Sequence, residues 1–176
     1  MKKYLLIALF SLISIPAFAH TTGSVAQITK ALQQLIGKAQ AQMAQDKPNP
    51  FAQIPYGFLL YGTTKNKAQI VTALASKYGI PVITITQHNA DNLSSLFLQA
   101  HAKAVHNSSK IAIIFIDNLD TYSYSSFGTK LNAELHKHFR TTYNDYKVII
   151  IGTAQQLALI DSALLVHNRL QPISIE

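Results

Sequence analysis

Two short polar segments, each after an apolar run, contain the residues that could bind phosphate and a metal ion. The first is Gly62-Thr63-Thr64-Lys65-Asn66-Lys67-Ala68, which lies between a strand-like run and a helical pattern. This is the layout of a phosphate-binding loop, in which backbone N–H groups and a lysine contact phosphate oxygens. Such a loop also needs more glycines and a Ser or Thr hydroxyl for Mg²⁺. Only Gly62 and a lysine match, so the bare motif fails.

The second segment is Ile113-Ile114-Phe115-Ile116-Asp117-Asn118. An apolar strand that ends in an aspartate can hold a carboxylate near Mg²⁺, and a glutamate that activates water normally follows it. Here the following residue is Asn118. Taken alone, the segment is also typical of a buried strand that ends in an Asp-Asn turn.

The surrounding pattern alternates strands and helices, which predicts an α/β fold with a five-stranded parallel sheet flanked by helices. The predicted strands are Phe58–Tyr61, Val82–Thr86, Ile111–Ile116, Val148–Ile151 and Ile173–Ile175. The predicted helices span about 66–78, 90–106, 126–143 and 155–166. Since ligands bind at the carboxyl ends of parallel strands, both polar segments should lie at one edge of the sheet.

A further helix precedes this region. Val25–Gln45 has apolar residues at i, i+3, i+4 and i+7 spacings, which predicts an amphipathic helix with Ser24 as its N-cap. Asp46–Pro55 contains three prolines and is predicted to be a linker or turn. We expect residues 20–55 to form an N-terminal helix and linker, and residues 56–176 to form the main domain.

These segments, and the order in which they follow one another along the chain, resemble the AAA+ ATPase core over most of Tyr56–Glu176. This core is a domain of the P-loop NTPase type. Tyr56–Gly62 is similar to the strand entering the Walker A loop, and Ile113–Asp117 is similar to Walker B. Gly152–Gln155 lies where the family has sensor 1, and Asn168-Arg169-Leu170 resembles the end of the arginine-finger stretch. The remaining similar segments are Ala73-Leu74-Ala75, Gly79–Ile83, Leu96-Phe97 with Ala100 and Ala104, and Leu159–Leu165.

The resemblance implies an ATP and Mg²⁺ site with several residues replaced. Lys67 corresponds to the Walker A lysine and Asp117 to the Walker B aspartate that holds Mg²⁺. Gln155 corresponds to sensor 1 and Arg169 to an arginine finger, while Val166 stands where a second finger is common. The implied nucleotide-binding residues are Gly62, Thr63, Thr64, Lys65, Asn66, Lys67 and Ala68.

The replacements predict weak chemistry. Ala68 lacks the hydroxyl that binds Mg²⁺, and Asn66 and its neighbours replace glycines, so their Cβ atoms should crowd the phosphate. Asn118 replaces the catalytic glutamate, and an amide cannot act as a general base. We also expect no aromatic pore-loop segment between Ile85 and Phe97 and no helical lid after the core, so threading of a substrate is not expected.

Two functions follow from this reading, and the basic net charge leaves a less favoured third one, a surface protein that binds nucleic acid or lipid. The first is an exported AAA+-type domain that binds ATP or ADP, with hydrolysis weak or lost. The alternative is a pseudo-ATPase that binds no nucleotide and acts as a secreted protein-interaction module. A protein partner or a homo-oligomer is compatible with either.

The first 19 residues predict export. Lys2 and Lys3 precede the apolar run Tyr4–Ile15, and Ala17-Phe18-Ala19 matches a cleavage site before His20. The run is too short to cross about 30 Å of hydrocarbon as a permanent helix. We therefore expect cleavage after Ala19 and a periplasmic or secreted bacterial protein, without a stable membrane span after cleavage.

Composition excludes several other kinds of site. The chain has no cysteine, so it has no disulfide, thiol nucleophile or zinc–thiolate site. Its net charge is +7, to which Lys2 and Lys3 contribute, but the other basic residues are scattered, so nucleic-acid binding is not expected. The seven histidines have no metal-ligand spacing. We expect them to be surface residues.

Overall fold

A computed structural model describes residues 22–45, 55–122, 124–140, 145–166 and 169–175. Several predictions fall outside these ranges. They are the export signal, most of the proline-rich linker, residues 141–143 of the fourth predicted helix, and Asn168.

Nine helices and strands make up the described part of the chain. In chain order they are α1 (Thr22–Met43), β1 (Gly57–Tyr61), α2 (Lys67–Lys77), β2 (Val82–Ile85), α3 (Leu93–His106), β3 (Ile111–Ile116), α4 (Ser126–Phe139), β4 (Lys147–Ala154) and β5 (Leu170–Ser174). Short 3₁₀ turns cover Gln87–Asn92, Leu119–Tyr122, Leu157–Leu159 and Ser162–Leu164.

All five strands pair in parallel, in the order β2-β3-β4-β1-β5. This confirms the predicted five-stranded parallel sheet flanked by helices. In the register of the sheet, Tyr61 pairs with Ala154 and Ser174, and Ile116 pairs with Gly152. The segments that follow β1 and β3 therefore emerge at the same edge of the sheet, as predicted.

The sheet separates two apolar clusters because successive side chains of a strand point to opposite faces. On one face, Leu59, Ile114 and Ile150 pack with α3 and α4. On the other face, Leu60, Ile113 and Ile149 pack with α1 and α2. Every residue of β3 is buried, as expected for a central parallel strand covered on both faces.

The N-terminal helix forms part of this core. One stripe of α1 is buried against the second face of the sheet. Its members are Ile28, Leu32, Leu35, Ile36 and Ala39. This spacing is the one that predicted an amphipathic helix, but Ser24 lies inside the helix, which begins at Thr22, so the predicted N-cap was wrong.

The predicted helix at 155–166 was also wrong. The segment forms the 3₁₀ turns Leu157–Leu159 and Ser162–Leu164 instead. Two of its backbone N–H groups, those of Gln155 and Gln156, donate to the Asp120 carboxylate. A further one, from Ala163, donates to the Asp161 carboxylate. Gln156, Ile160 and Asp161 have non-helical backbone conformations, with ψ of 115°, 136° and 117°, so one α-helix cannot run through the segment.

The other predicted boundaries differ by a few residues. The helix predicted from residue 90 begins at Leu93, because residues 87–92 form a 3₁₀ turn with a capping box between Thr86 and Asn89. The fourth strand is longer than predicted and reaches Ala154. The fifth begins at Leu170 rather than Ile173.

Candidate functional site

The loop between β1 and α2 begins at Gly62, a position that requires glycine. Gly62 has φ +125°, and a Cβ atom there would lie 2.2 Å from the Ile175 carbonyl oxygen. The Gly62 N–H donates to Ala154 O at 3.2 Å, and Thr64 Oγ1 donates to Ile175 O at 3.3 Å. The loop is thus attached to the ends of both neighbouring strands.

Lys67 is the first residue of α2, and its side chain folds back into the loop. Its Nζ donates to the carbonyl oxygens of Gly62 at 2.7 Å and Thr64 at 2.8 Å, and the residue is only 9% exposed. Burial lowers the pKa of Lys67, while the negative charges of Asp117 and Asp120 act in the opposite direction. Because an ammonium has three N–H donors, one remains for a ligand.

Asn66 precedes α2 in a left-handed conformation, with φ 70°, and its side chain does not cap the helix. Asparagine tolerates this conformation better than most residues other than glycine. The loop can therefore turn into the helix without a glycine at this position. The first N–H groups of α2, left uncapped by Asn66, make this end of the helix favourable for an anion.

Asp117 follows β3 and is held by a threonine of β4. Thr153 Oγ1 donates to Asp117 Oδ1 and accepts the Asn118 N–H at 2.8 Å. Thr153 is only 1% exposed. Asn118 is exposed and has φ 51°, so its backbone is fixed in the left-handed region beside the aspartate.

Asp120 lies beside the site, and no role was predicted for it. It is 8% exposed, and its Oδ2 accepts the N–H groups of Gln155 at 2.9 Å and Gln156 at 3.1 Å. Its Oδ1 is buried without a hydrogen-bond partner among the described residues. Asp120 thus fixes the loop that carries Gln155 and places a second negative charge near Lys67. Its position three residues after Asp117 is the sequence feature that could have indicated this role.

With the exception of Asp120, the residues described above line a single cavity of about 450 Å³. It is lined by Gly62, Thr63, Thr64, Lys65, Asn66, Lys67, Ala68, Gln69, Asp117, Asn118, Thr153 and Gln155. The structure therefore brings together every residue predicted for the site except Arg169. A cavity at the carboxyl ends of parallel strands, beside a helix N-terminus, is where such folds bind ligands.

The comparison with protein families agrees with this geometry. Residues 58–175 match the model of the ATPase family associated with various cellular activities (AAA). The chain belongs to the AAA family. No curated protein matches the chain. The match supports a nucleotide-binding, ATPase-like domain, and the family generally binds ATP with Mg²⁺ and forms oligomers.

Arg169 lies at the other edge of this AAA domain, just before the amino end of β5. Its Nη1 donates to the Ala163 carbonyl oxygen and lies 2.9 Å from His136 Nδ1, and its guanidinium is 5.6 Å from the Phe139 ring centroid. Since arginine only donates, His136 Nδ1 must be the acceptor. An arginine finger acts on the nucleotide of a neighbouring subunit, so this role for Arg169 stays a prediction.

The AAA site fits phosphate better than it fits a metal ion. The start of α2, Lys67 and the exposed Lys65 provide donors and positive charge for a polyphosphate. For Mg²⁺ the cavity offers the Asp117 carboxylate, with one oxygen already bound by Thr153, and no hydroxyl at Ala68. Among the described residues, no group of three or more His, Asp or Glu residues could hold a metal ion.

Two further observations concern the rest of the described chain. His138 is only 5% exposed, so the prediction that the histidines are surface residues was wrong for it. The sequence did contain a signal for this burial. His138 lies seven residues after Leu131 and three after Leu135, and this spacing places all three on the buried face of α4. Within the ranges that the structure describes, no helix is long and apolar enough to cross a membrane.

Proposed function

We propose that the chain is an exported AAA-type domain that binds an adenine nucleotide and hydrolyses it weakly or not at all. One observation carries the proposal. Lys67 stands at the start of α2 in the same cavity as Asp117, and the loop turns around its ammonium group. A lysine, a helix N-terminus and a strand-end carboxylate in one cavity suit the phosphates of a nucleotide.

The weak hydrolysis rests on the identity of two residues in this cavity. Asn118 occupies the place after the strand-end aspartate, where a carboxylate would take the proton of an attacking water. Its amide has no such capacity, and loss of a general base typically slows a reaction about 10²- to 10⁴-fold. Ala68 provides no hydroxyl to orient a metal ion.

The export part of the proposal rests on the sequence alone. Lys2 and Lys3, the apolar run that follows them and Ala17-Phe18-Ala19 favour a cleaved signal. N-terminal sequencing of the protein recovered from a bacterial expression host tests this directly. Cleavage before His20 is expected, and an intact N-terminus would contradict export.

The test of nucleotide binding is thermal unfolding of the purified chain with and without ATP or ADP. A ligand that binds only the native state adds about 2.7 kcal/mol at 100 times its Kd. This raises the Tm by roughly 5–11 °C for a domain of this size. Lys67→Ala should abolish the shift, whereas Lys38→Ala, which replaces an exposed lysine of α1, should keep it.

A second candidate is a protein-interaction module that has lost nucleotide binding. It is favoured by the Lys67 Nζ, which already has two carbonyl partners within the loop. If neither ATP nor ADP shifts the Tm of the wild-type chain at millimolar concentration, the first candidate is wrong and this one replaces it.

A further inference from the structure

We infer that the loop cavity binds the polyphosphate of an adenine nucleotide without a requirement for Mg²⁺. The inference rests on the proposed function and specifies the form of the ligand. Mg²⁺ normally binds with near-octahedral geometry, through one or two carboxylates together with the phosphates of the substrate. Two protein groups would hold the ion here, the hydroxyl after the lysine and the strand-end carboxylate. The hydroxyl is replaced by Ala68, and one oxygen of the Asp117 carboxylate already accepts a hydrogen bond.

The start of α2 lacks a hydroxyl next to the lysine. Lys67 is followed by Ala68 and Gln69, which both line the cavity. The nearby Thr64 hydroxyl donates its proton to Ile175 O, so it is turned toward the end of β5. The helix therefore contributes backbone N–H groups, which bind anions, and no hydroxyl oxygen for a cation at this position.

Asp117 and Asp120 each have one carboxylate oxygen engaged in hydrogen bonds. Asp117 Oδ1 accepts the Thr153 hydroxyl, which is itself fixed by the Asn118 N–H. Asp120 is buried, and its Oδ2 accepts two backbone N–H groups. A metal ion at Asp117 would have to share the carboxylate with Thr153, and the next position along the chain, Asn118, offers only a neutral amide.

Positive charge from the protein can replace that of the ion. Lys67 retains one unused N–H, and the exposed Lys65 lines the same cavity. The N-terminus of α2 adds a partial positive charge of about half an elementary charge. Together they can neutralise much of the charge of a diphosphate.

The experiment is calorimetric titration of the purified chain with ADP, ATP and pyrophosphate, in buffer with Mg²⁺ and in buffer with excess EDTA. We expect the Kd for ADP in EDTA to lie within about fivefold of its value in Mg²⁺. Ala68→Ser restores the missing hydroxyl, and in this variant Mg²⁺ should strengthen binding by more than about fivefold. Lys67→Ala should bind more weakly in both buffers, whereas Lys38→Ala should match the wild type.

Each other outcome overturns a defined part of the inference. Wild-type binding that weakens more than about fivefold in EDTA shows that Mg²⁺ is required, and leaves nucleotide binding intact. An Ala68→Ser variant indifferent to Mg²⁺ shows that residue 68 is not the cause. Pyrophosphate that binds as tightly as ADP excludes the nucleoside from the ligand. Absence of binding in both buffers, with wild type and Lys67→Ala alike, overturns the proposed function itself.

Discussion

At the scale of single residues, the site is built from unusual backbone conformations. Gly62, Asn66 and Asn118 have φ values of 125°, 70° and 51°, and all three line the cavity. Such conformations cost free energy and persist where the surrounding structure fixes them, which is often at ligand sites. Asparagine at two of these positions keeps the conformation while adding an amide side chain that glycine lacks.

Substitution of Asn66 tests this point. Asn66→Gly should change the free energy of unfolding by less than about 0.5 kcal/mol, since glycine adopts φ 70° without strain. Asn66→Ala should lower it by about 1 kcal/mol, because an alanine Cβ is disfavoured in the left-handed region. Urea unfolding of both variants provides the measurement. Equal stability of the two would contradict a fixed left-handed conformation at this residue.

Asp120 provides a second prediction at this scale. Asp120→Asn has nearly the same shape but no charge, so the N–H groups of Gln155 and Gln156 lose charge-assisted hydrogen bonds. The free energy of unfolding should fall by about 1–3 kcal/mol, measured in urea. Asp145→Asn changes an exposed aspartate and should have little effect. A loss as small as that of the control would show that Asp120 does not fix this loop.

At the scale of elements, α1 is as much a part of the core as the helices between the strands. Leu32, at 1% exposure, lies in the middle of its buried stripe against the sheet. Leu32→Ala should lower the free energy of unfolding by about 2–5 kcal/mol through lost burial and the cavity it leaves. Gln34→Ala, on the exposed side of the same helix, should change it by less than about 0.5 kcal/mol. Chemical denaturation of the two variants separates a packed helix from a loosely attached one.

The elements also show which features the sequence could predict. The five strands and their common edge followed from apolar runs and alternation with helices, because these patterns reflect burial of neighbouring residues. The short 3₁₀ turns within 155–166 did not follow, because the apolar pattern does not mark the extended residues that separate them. The role of Asp120 did not follow either, because it depends on a contact between residues 35 positions apart. The contact of Thr153 with Asp117 was missed as well, because only the pairing of β3 with β4 brings the two residues together.

At the scale of the whole molecule, the two edges of the sheet differ in chemistry. The carboxyl edge forms the polar cavity, whereas near the amino edge His138 of α4 packs against His101 of α3 with ring centroids 5.4 Å apart. Tyr56, Phe97 and Phe139 surround His138 at ring distances of 5.6, 5.7 and 6.0 Å. Lys147, at the start of β4, lies over the Tyr56 ring at 4.6 Å, and Tyr146 contacts His101.

The buried environment of His138 and His101 makes the stability of the whole domain dependent on pH. Burial lowers the pKa of His138 to about 4, and the positive charges of His101 and Lys147 act in the same direction. Burial lowers the pKa of His101 as well. Above pH about 6.5 these histidines are neutral in both the native and the unfolded chain, so they add no pH dependence there. Below it the unfolded chain binds protons that the native chain does not, and the free energy of unfolding falls as the pH is lowered toward 4.

His138→Phe, which keeps an aromatic ring among aromatic neighbours, isolates this contribution. For the wild-type chain, the free energy of unfolding should fall by about 1.4 kcal/mol per pH unit from His138 alone, within the window between pH about 6.5 and 4. In the variant, the free energy of unfolding should depend less steeply on pH, because the contribution of His138 is lost and that of His101 remains. His88→Phe, at an exposed histidine, should retain the full slope. Urea unfolding at several pH values from 7 to 4.5 measures the three slopes. Parallel curves for wild type and His138→Phe would show that His138 takes up its proton as readily in the native chain as in the unfolded one, against what its burial between α3 and α4 requires.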